Sequence, residues 1–308
     1  MKKVRIGGQA VIEGVMMKNG DKYAVAVRKP DKEINVDIEE YKPIGEKIKI
    51  LKLPILRGIV NFIESLVIGV KTLTYSAQFF EDEEEQEKKS EDKKEGLSGF
   101  EIFLTVAFSL VFAILLFMML PAFAAELLGK VVKLHFVIAL FEGILRLAIF
   151  LLYVVLISRM EDIRRVYMYH GAEHKSINCL ESGHELNVEN VRQASRYHKR
   201  CGTSFLFIVM IITIIVFMFI NFDVMWQRLL CRLLLIPVIA GISYEFIMFA
   251  GRSDSKVAHI LSLPGMWLQR LTTREPDDDM IEVAIKSVEA VLDWQAYLDA
   301  MQKDELED

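Results

Sequence analysis

Four stretches of this sequence are apolar over about the length of a membrane span: 101–125, 135–157, 204–222 and 229–250. About 20 helical residues cross ~30 Å of hydrocarbon, and backbone polar groups there must pair within the segment, so each stretch is expected to be a helix. This feature reconciles a chain that is 53% hydrophobic with one that is 26% charged, because the two kinds of residue are segregated along it. One ordinary soluble domain and wholesale disorder are both excluded. The expected fold class is a mainly α membrane protein with about four transmembrane helices.

Orientation follows from the connections. The loop 158–203 carries Arg159, Arg164, Arg165, Lys175, Arg192, Arg196, Lys199 and Arg200, whereas the hairpin tips near 126–134 and 223–228 hold only Lys130, Lys133 and Arg228. Short basic loops stay in the cytoplasm, so the expected topology is multi-pass with both termini cytoplasmic. Three widely spaced cysteines, Cys179, Cys201 and Cys231, form no disulfide framework and fit a reducing compartment. A net charge of −5, with no basic domain, gives no reason to expect nucleic acid as a partner. The bilayer is the expected partner, with a homo-oligomer as a further option.

The remaining segments have their own character. Residues 1–50 read as a small β-rich cytoplasmic module: short Val- and Ile-rich runs at 3–6, 10–16, 23–28 and 34–39 are separated by Gly7-Gly8, Asn19-Gly20-Asp21 and Pro30-Asp31. Residues 51–80 place Ile55, Ile59, Phe62, Ile63, Leu66, Val70 and Leu73 at helical spacing, interrupted by Arg57, Asn61, Glu64 and Lys71. That pattern predicts an amphipathic helix lying on the membrane or packed on the bundle, with a re-entrant segment as the alternative. Residues 81–98 form a charged linker, 99–251 the transmembrane bundle, and 252–308 a cytoplasmic tail with an amphipathic helix from Met280.

Four acids and bases stand inside the second and fourth expected spans: Glu142, Arg146, Arg232 and Glu245. Glu142 and Arg146 are four residues apart on one helix and are expected to neutralise each other, with a transport path as the sharper alternative. Glu245 is expected to pair with Arg146 or Arg232.

Chemistry concentrates in the cytoplasmic loop. Four of the six histidines fall there, within YHGAEHKSINCLESGHE and SRYHKRC. If the second span continues as a helix, His170 and His174 stand one turn apart on one face, and Glu173 lies beside them. H-x-x-E-H is the inverse of the zincin motif, in which two histidines hold zinc and a glutamate activates water. A catalytic zinc takes three protein ligands; the spacing leaves His184, Glu185, His198 and Cys201 open as the third. A helix from Val188 to Lys199, capped by Asn187, is expected to carry Arg192, Arg196 and His198 towards the membrane surface, where Arg192, Arg196 and Arg200 engage a phosphate or lipid headgroup or simply fix topology.

Six passages resemble a known family: GGQAVIEGVMMK, RGIVNFIESLVIGVKTLTYSA, YHGAEHKSINCLESG, VENVRQASRYHKRCGTSF, PVIAGISYE and PGMWLQRLTTREPDDDMIEVAI. The chain resembles the YqhQ family of membrane proteins, a domain of unknown function. The resemblance implies a bacterial cell membrane protein and supports a metal at the histidine cluster. The leading expectation is a membrane-embedded metal-dependent hydrolase with a divalent metal, zinc, at His170 and His174 and with Glu173 as the base. An oligomeric transporter or channel and a membrane scaffold stay open.

Overall fold

The computed structural model describes residues 6–44, 48–80, 99–220, 224–252 and 255–307. The charged linker, and all of the first expected strand but its last residue, lie outside the described residues. The chain forms two compact units. One comprises Met1–Phe80, Ile157–Phe207 and Ala240–Asp308; the other comprises Glu81–Leu156 and Ile208–Ile239.

In the first unit, β1 (Ile6–Val11), β2 (Gly14–Asn19), β3 (Lys22–Arg28) and β4 (Ile34–Glu40) form an antiparallel meander in sequence order. The expected turn at Gly7-Gly8 is not a turn. Both glycines lie within β1, and Gly8 pairs with Met17. The reversal falls at Ile12-Glu13, where Glu13 takes φ +48°, and the next at Gly20, φ +61°. Gly8 belongs in the strand because a methyl group there would stand 2.9 Å from Glu173 Cγ and 2.7 Å from the Met16 carbonyl oxygen.

The period-2 pattern of β2 and β3 points side chains to two different layers. Val15, Met17, Ala24 and Ala26 face α5 (Glu161–Glu181) and α10 (Asp278–Val291), where they meet Tyr169, Ala172, Ile281, Ala284 and Val288. Val11, Met16, Tyr23, Val25 and Val27 turn the other way, towards Ile68, Tyr75 and Phe79. The helix that supplies Ile68 is α1 (Leu56–Ala77). It buries Gly58, Glu64, Gly69, Thr72 and Ser76, while Ile63, Leu66, Val67 and Val70 are exposed. Apart from Ile68, its inward face is small and polar, and most of its large apolar side chains are exposed. A partial counterpart is α9 (Lys256–Thr272), which buries Ser262, Gly265 and Gln269 beside Ala258 and Leu268 and exposes Val257, Ile260 and Trp267.

Among the described residues, three helices are long and apolar enough to cross a membrane: Leu104–Gly129, His135–Ile157 and Leu229–Ala250. The first runs through α2 (Gly99–Ile114), a π-helical turn (Leu115–Met119) and α3 (Leu120–Gly129). The second is α4 (His135–Ile157), and the last lies within α8 (Met225–Arg252). The remaining expected span is represented by the shorter α7 (Gly202–Met218). In the second unit, Glu142 is buried and does meet Arg146, at 2.8 Å, and it also meets Arg232 at 2.5 Å.

Glu245 does not take either expected partner. It forms a two-pronged ion pair with Arg57 at the start of α1, and Asn61 Nδ2 donates to Tyr244 Oη at 2.7 Å one turn along. The helices can meet there because Gly58 and Gly241 face each other: a methyl group on Gly58 would stand 2.9 Å from Gly241 Cα.

Candidate metal centre

The second span does not run on into the histidine helix. Residues 158–160 break it, Met160 adopts extended backbone, and α5 starts afresh with Glu161 and Asp162 in its first turn, where acids complement the helix dipole. Within α5 the motif H-x-x-E-H behaves as its spacing demands: the His170 and His174 rings lie 4.4 Å apart between centroids.

Two chain segments flank this helix and set the imidazoles. Arg274 N–H donates to the Tyr167 carbonyl at 2.8 Å, bringing the 272–276 segment against α5. The approach is so close that a methyl group on Gly171 would lie 2.0 Å from the Arg274 carbonyl oxygen, which accounts for glycine inside the motif. The Thr272 carbonyl then accepts from His170 Nδ1 at 2.8 Å.

The second segment follows α6 (Val188–Gln193). Asn187 caps that helix as expected, its side chain accepting from Asn190 N–H at 2.9 Å. However, the helix stops at Gln193 instead of reaching Lys199. The carbonyls so released are taken by α5: Arg196 O by His174 Nδ1 at 2.7 Å, Arg192 O and Ala194 O by Lys175 Nζ at 2.9 Å each, and Ser195 O and Tyr197 O by Asn178 Nδ2. Gln269 of α9, fully buried, then clamps His198 through its backbone N–H and carbonyl, both at 2.8 Å.

This path delivers Cys201 to the two histidines. His170, His174 and Cys201 each bring one ligand atom, and those atoms lie within 4.8 Å of one another. Cys201 Sγ is 3.3 Å from His170 Nε2 and accepts from Thr203 N–H at 3.4 Å, at the start of α7. A carbonyl only accepts, so each Nδ1 carries hydrogen, and each Nε2 is the nitrogen left for a metal, which would displace any proton held there. Two imidazoles and one thiolate are a zinc-type donor set. Burial favours the neutral thiol of Cys201, but both imidazoles outweigh it and hold the group well below its ordinary value. Burial likewise opposes the charged form of His170, yet the neighbouring thiolate raises it to about 9. Glu173 is buried beside them, and that burial lifts it above the usual carboxylate range, against the pull of both histidines and a Gly8 N–H.

The other expected site residues stand apart from this trio. His184 and Glu185 are exposed. The His198 ring packs 5.8 Å from His174 between centroids, with Nε2 3.4 Å from Glu181. Each arginine already has a carboxylate: Arg192 pairs with Asp278 and Glu189, Arg196 with Glu275, and Arg200 with Glu181. Lys175, Asn178, Gln269 and Thr272, which hold these segments in place, are not among the expected site residues. A signal existed for the first two, since positions 174, 175 and 178 share one helix face.

Residues 53–294 match the family described as "Protein of unknown function (DUF1385)". The chain is also 36% identical over 303 residues to "Uncharacterized protein YqhQ" of Bacillus subtilis (strain 168), covering 96% of this chain and 95% of that protein. No solved structure matches. A match over most of the chain, together with a relative alike from end to end, means that this protein belongs to the DUF1385 family, alongside YqhQ.

Proposed function

We propose that this protein is a metal-dependent hydrolase of the bacterial cell membrane, with its centre at His170, His174 and Cys201 and with Glu173 as the proton acceptor. The observation that carries this reading is the pair of backbone carbonyls, Thr272 O and Arg196 O, that fix both Nδ1 atoms and leave both Nε2 atoms beside one cysteine sulfur. A divalent ion held there, zinc by the softness of the donors, supplies Lewis-acid polarisation and a bound water of lowered pKa. Glu173 lies next to His174 in the chain, and burial raises its affinity for a proton, as suits a proton acceptor. The basic loop around the centre supports a cytoplasmic location at the membrane surface, with both termini on that side. The outward apolar faces of α1 and α9 support contact with lipid and suit an amphipathic, lipid-derived substrate.

Metal analysis of the purified full-length protein tests the centre. About one equivalent of zinc is expected, falling to near zero in His170→Ala/His174→Ala and in Cys201→Ser. Near-zero metal in the parent protein, even after reconstitution with zinc, would sink the proposal.

A second reading has its own support. Cys201 lies 3.3 Å from His170 at the start of a helix, an arrangement that activates a thiol nucleophile. Alkylation of Cys201 that zinc fails to prevent would favour it over the metal centre. Conduction by Glu142 and Glu245 is the weaker reading, since both carboxylates are engaged by arginine.

A further inference from the structure

The second unit contains a polar cavity of about 160 Å³, enclosed by α4, α7 and α8 and lined by Lys133, His135, Glu142, Arg146, Thr213 and Arg232 among apolar neighbours. Its charges do not cancel. Arg146 and Arg232 share the single carboxylate of Glu142, at 2.8 and 2.5 Å, leaving one positive charge in excess before the exposed Lys133 is counted. Uncompensated charge among apolar helices is expensive and marks a functional site by default.

The hydrogen-bond inventory points the same way. Arg146 is held in place from behind. Pro121 has no N–H to offer the Phe117 carbonyl four residues earlier, and Arg146 Nε donates to that carbonyl at 3.0 Å. Arg232 is 6% exposed, and its guanidinium stacks 5.1 Å from the Phe217 ring centre, yet its Nε has no acceptor among the described residues. His135 Nε2 is likewise buried without a partner among the described residues. Buried donors are nearly always satisfied, so two orphans on one cavity that also holds surplus positive charge call for an acceptor from outside.

We infer that this cavity binds a phosphate-type oxyanion, gripped by Arg232 and Arg146, with Lys133 at its mouth. Guanidinium groups present paired donors that match phosphate oxygens. The volume equals that of a few waters at ~30 Å³ each, enough for one such group. An anion neutralises the excess charge and offers acceptors to the two orphaned nitrogens, and Glu142 keeps the two guanidiniums from repelling each other when the cavity is empty. The chemistry fits free phosphate and the phosphate of an anionic lipid headgroup alike. The site shares no residue with the histidine and cysteine centre, so it stands or falls independently of that centre.

The test uses the full-length protein in two kinds of nanodisc. In pure phosphatidylcholine discs, inorganic phosphate is titrated at constant ionic strength while the unfolding midpoint is followed. In discs doped with phosphatidylglycerol, lipid retained on the protein is counted by native mass spectrometry. A saturable rise in the midpoint identifies free phosphate, and selective retention of phosphatidylglycerol identifies a headgroup. The affinity, whichever ligand binds, is expected to fall at least tenfold in Arg232→Gln and several-fold in Lys133→Gln. Should Arg232→Gln not fold, the exposed Lys133→Gln carries the comparison. Binding of neither ligand, or binding unchanged by these substitutions, would overturn the inference.

Discussion

The position that most tightly joins fold to centre is Gly171. A side chain there would collide with the Arg274 carbonyl oxygen, a backbone atom that cannot swing away, at 2.0 Å. Two residues earlier, the same segment supplies the Thr272 carbonyl that orients His170. Gly171→Ala would normally favour a helix by ~1 kcal/mol, glycine being the poorer helix former. Here the clash is expected to dominate, at a net cost of about 1 to 3 kcal/mol, typical of overpacking. Because the displaced segment carries the His170 acceptor, zinc affinity is expected to fall along with stability. Chemical denaturation in detergent and a chelator competition titration, run on the same samples, check both. Stability unchanged with zinc retained would mean that the 272–276 segment does not press on α5 as described.

At the scale of elements, α5 acts as a comb whose teeth, His174, Lys175 and Asn178, each seize carbonyls of the 192–197 segment. Lys175 is the best probe because it touches no proposed ligand. Lys175→Met keeps the buried methylene stem but leaves Arg192 O and Ala194 O without their donor and removes the 3.0 Å pair with Glu275. The expected loss is about 1.5 to 3 kcal/mol, the range for hydrogen bonds to a charged group. Zinc affinity is expected to weaken ~10-fold or more through the loosened Arg196 carbonyl, as happens when groups that orient a ligand are removed. Zinc affinity equal to the parent's would disprove the comb's role.

This comb also explains what could be read from the sequence. H-x-x-E-H puts two imidazoles on one face because helical spacing is local information, and the short Val- and Ile-rich runs before residue 40 announce a meander for the same reason, although the first reversal falls at Ile12-Glu13, inside the expected run 10–16. The third donor was not legible. Nothing between Ala194 and Lys199 breaks a helix by its own propensity; the segment unwinds because α5 offers its carbonyls better donors. Cys201 reaches the centre only through that unwinding, whereas His198, equally placed in the sequence, is turned to Glu181 by the Gln269 clamp.

At the scale of the whole molecule, the centre depends on residues 277–308. α10 covers one face of the sheet, burying Met280, Ile281, Val283, Ile285, Val288 and Val291 against β2, β3 and α5. Ser287 Oγ donates to Ala24 O and Asn19 Nδ2 to Val291 O, both at 3.1 Å, so the helix is fitted to the strands and not merely laid on them. At ~1.5 to 3 kcal/mol for each large buried side chain, that burial is worth on the order of 10 kcal/mol as an upper bound. A typical domain holds a total of only ~5 to 15 kcal/mol. Deleting residues 277–308 leaves all three proposed metal ligands, both orienting carbonyls and every apolar span intact. Even so, zinc binding is expected to be lost, because α5 would then rest on an uncovered sheet. The apolar spans need no such cover, so the shortened chain is expected to stay membrane-extracted and largely helical by circular dichroism while the first unit loses cooperative unfolding and its metal. A shortened protein that binds zinc as tightly as the full chain would mean that α5 and its two flanking segments hold the centre without the sheet's second layer.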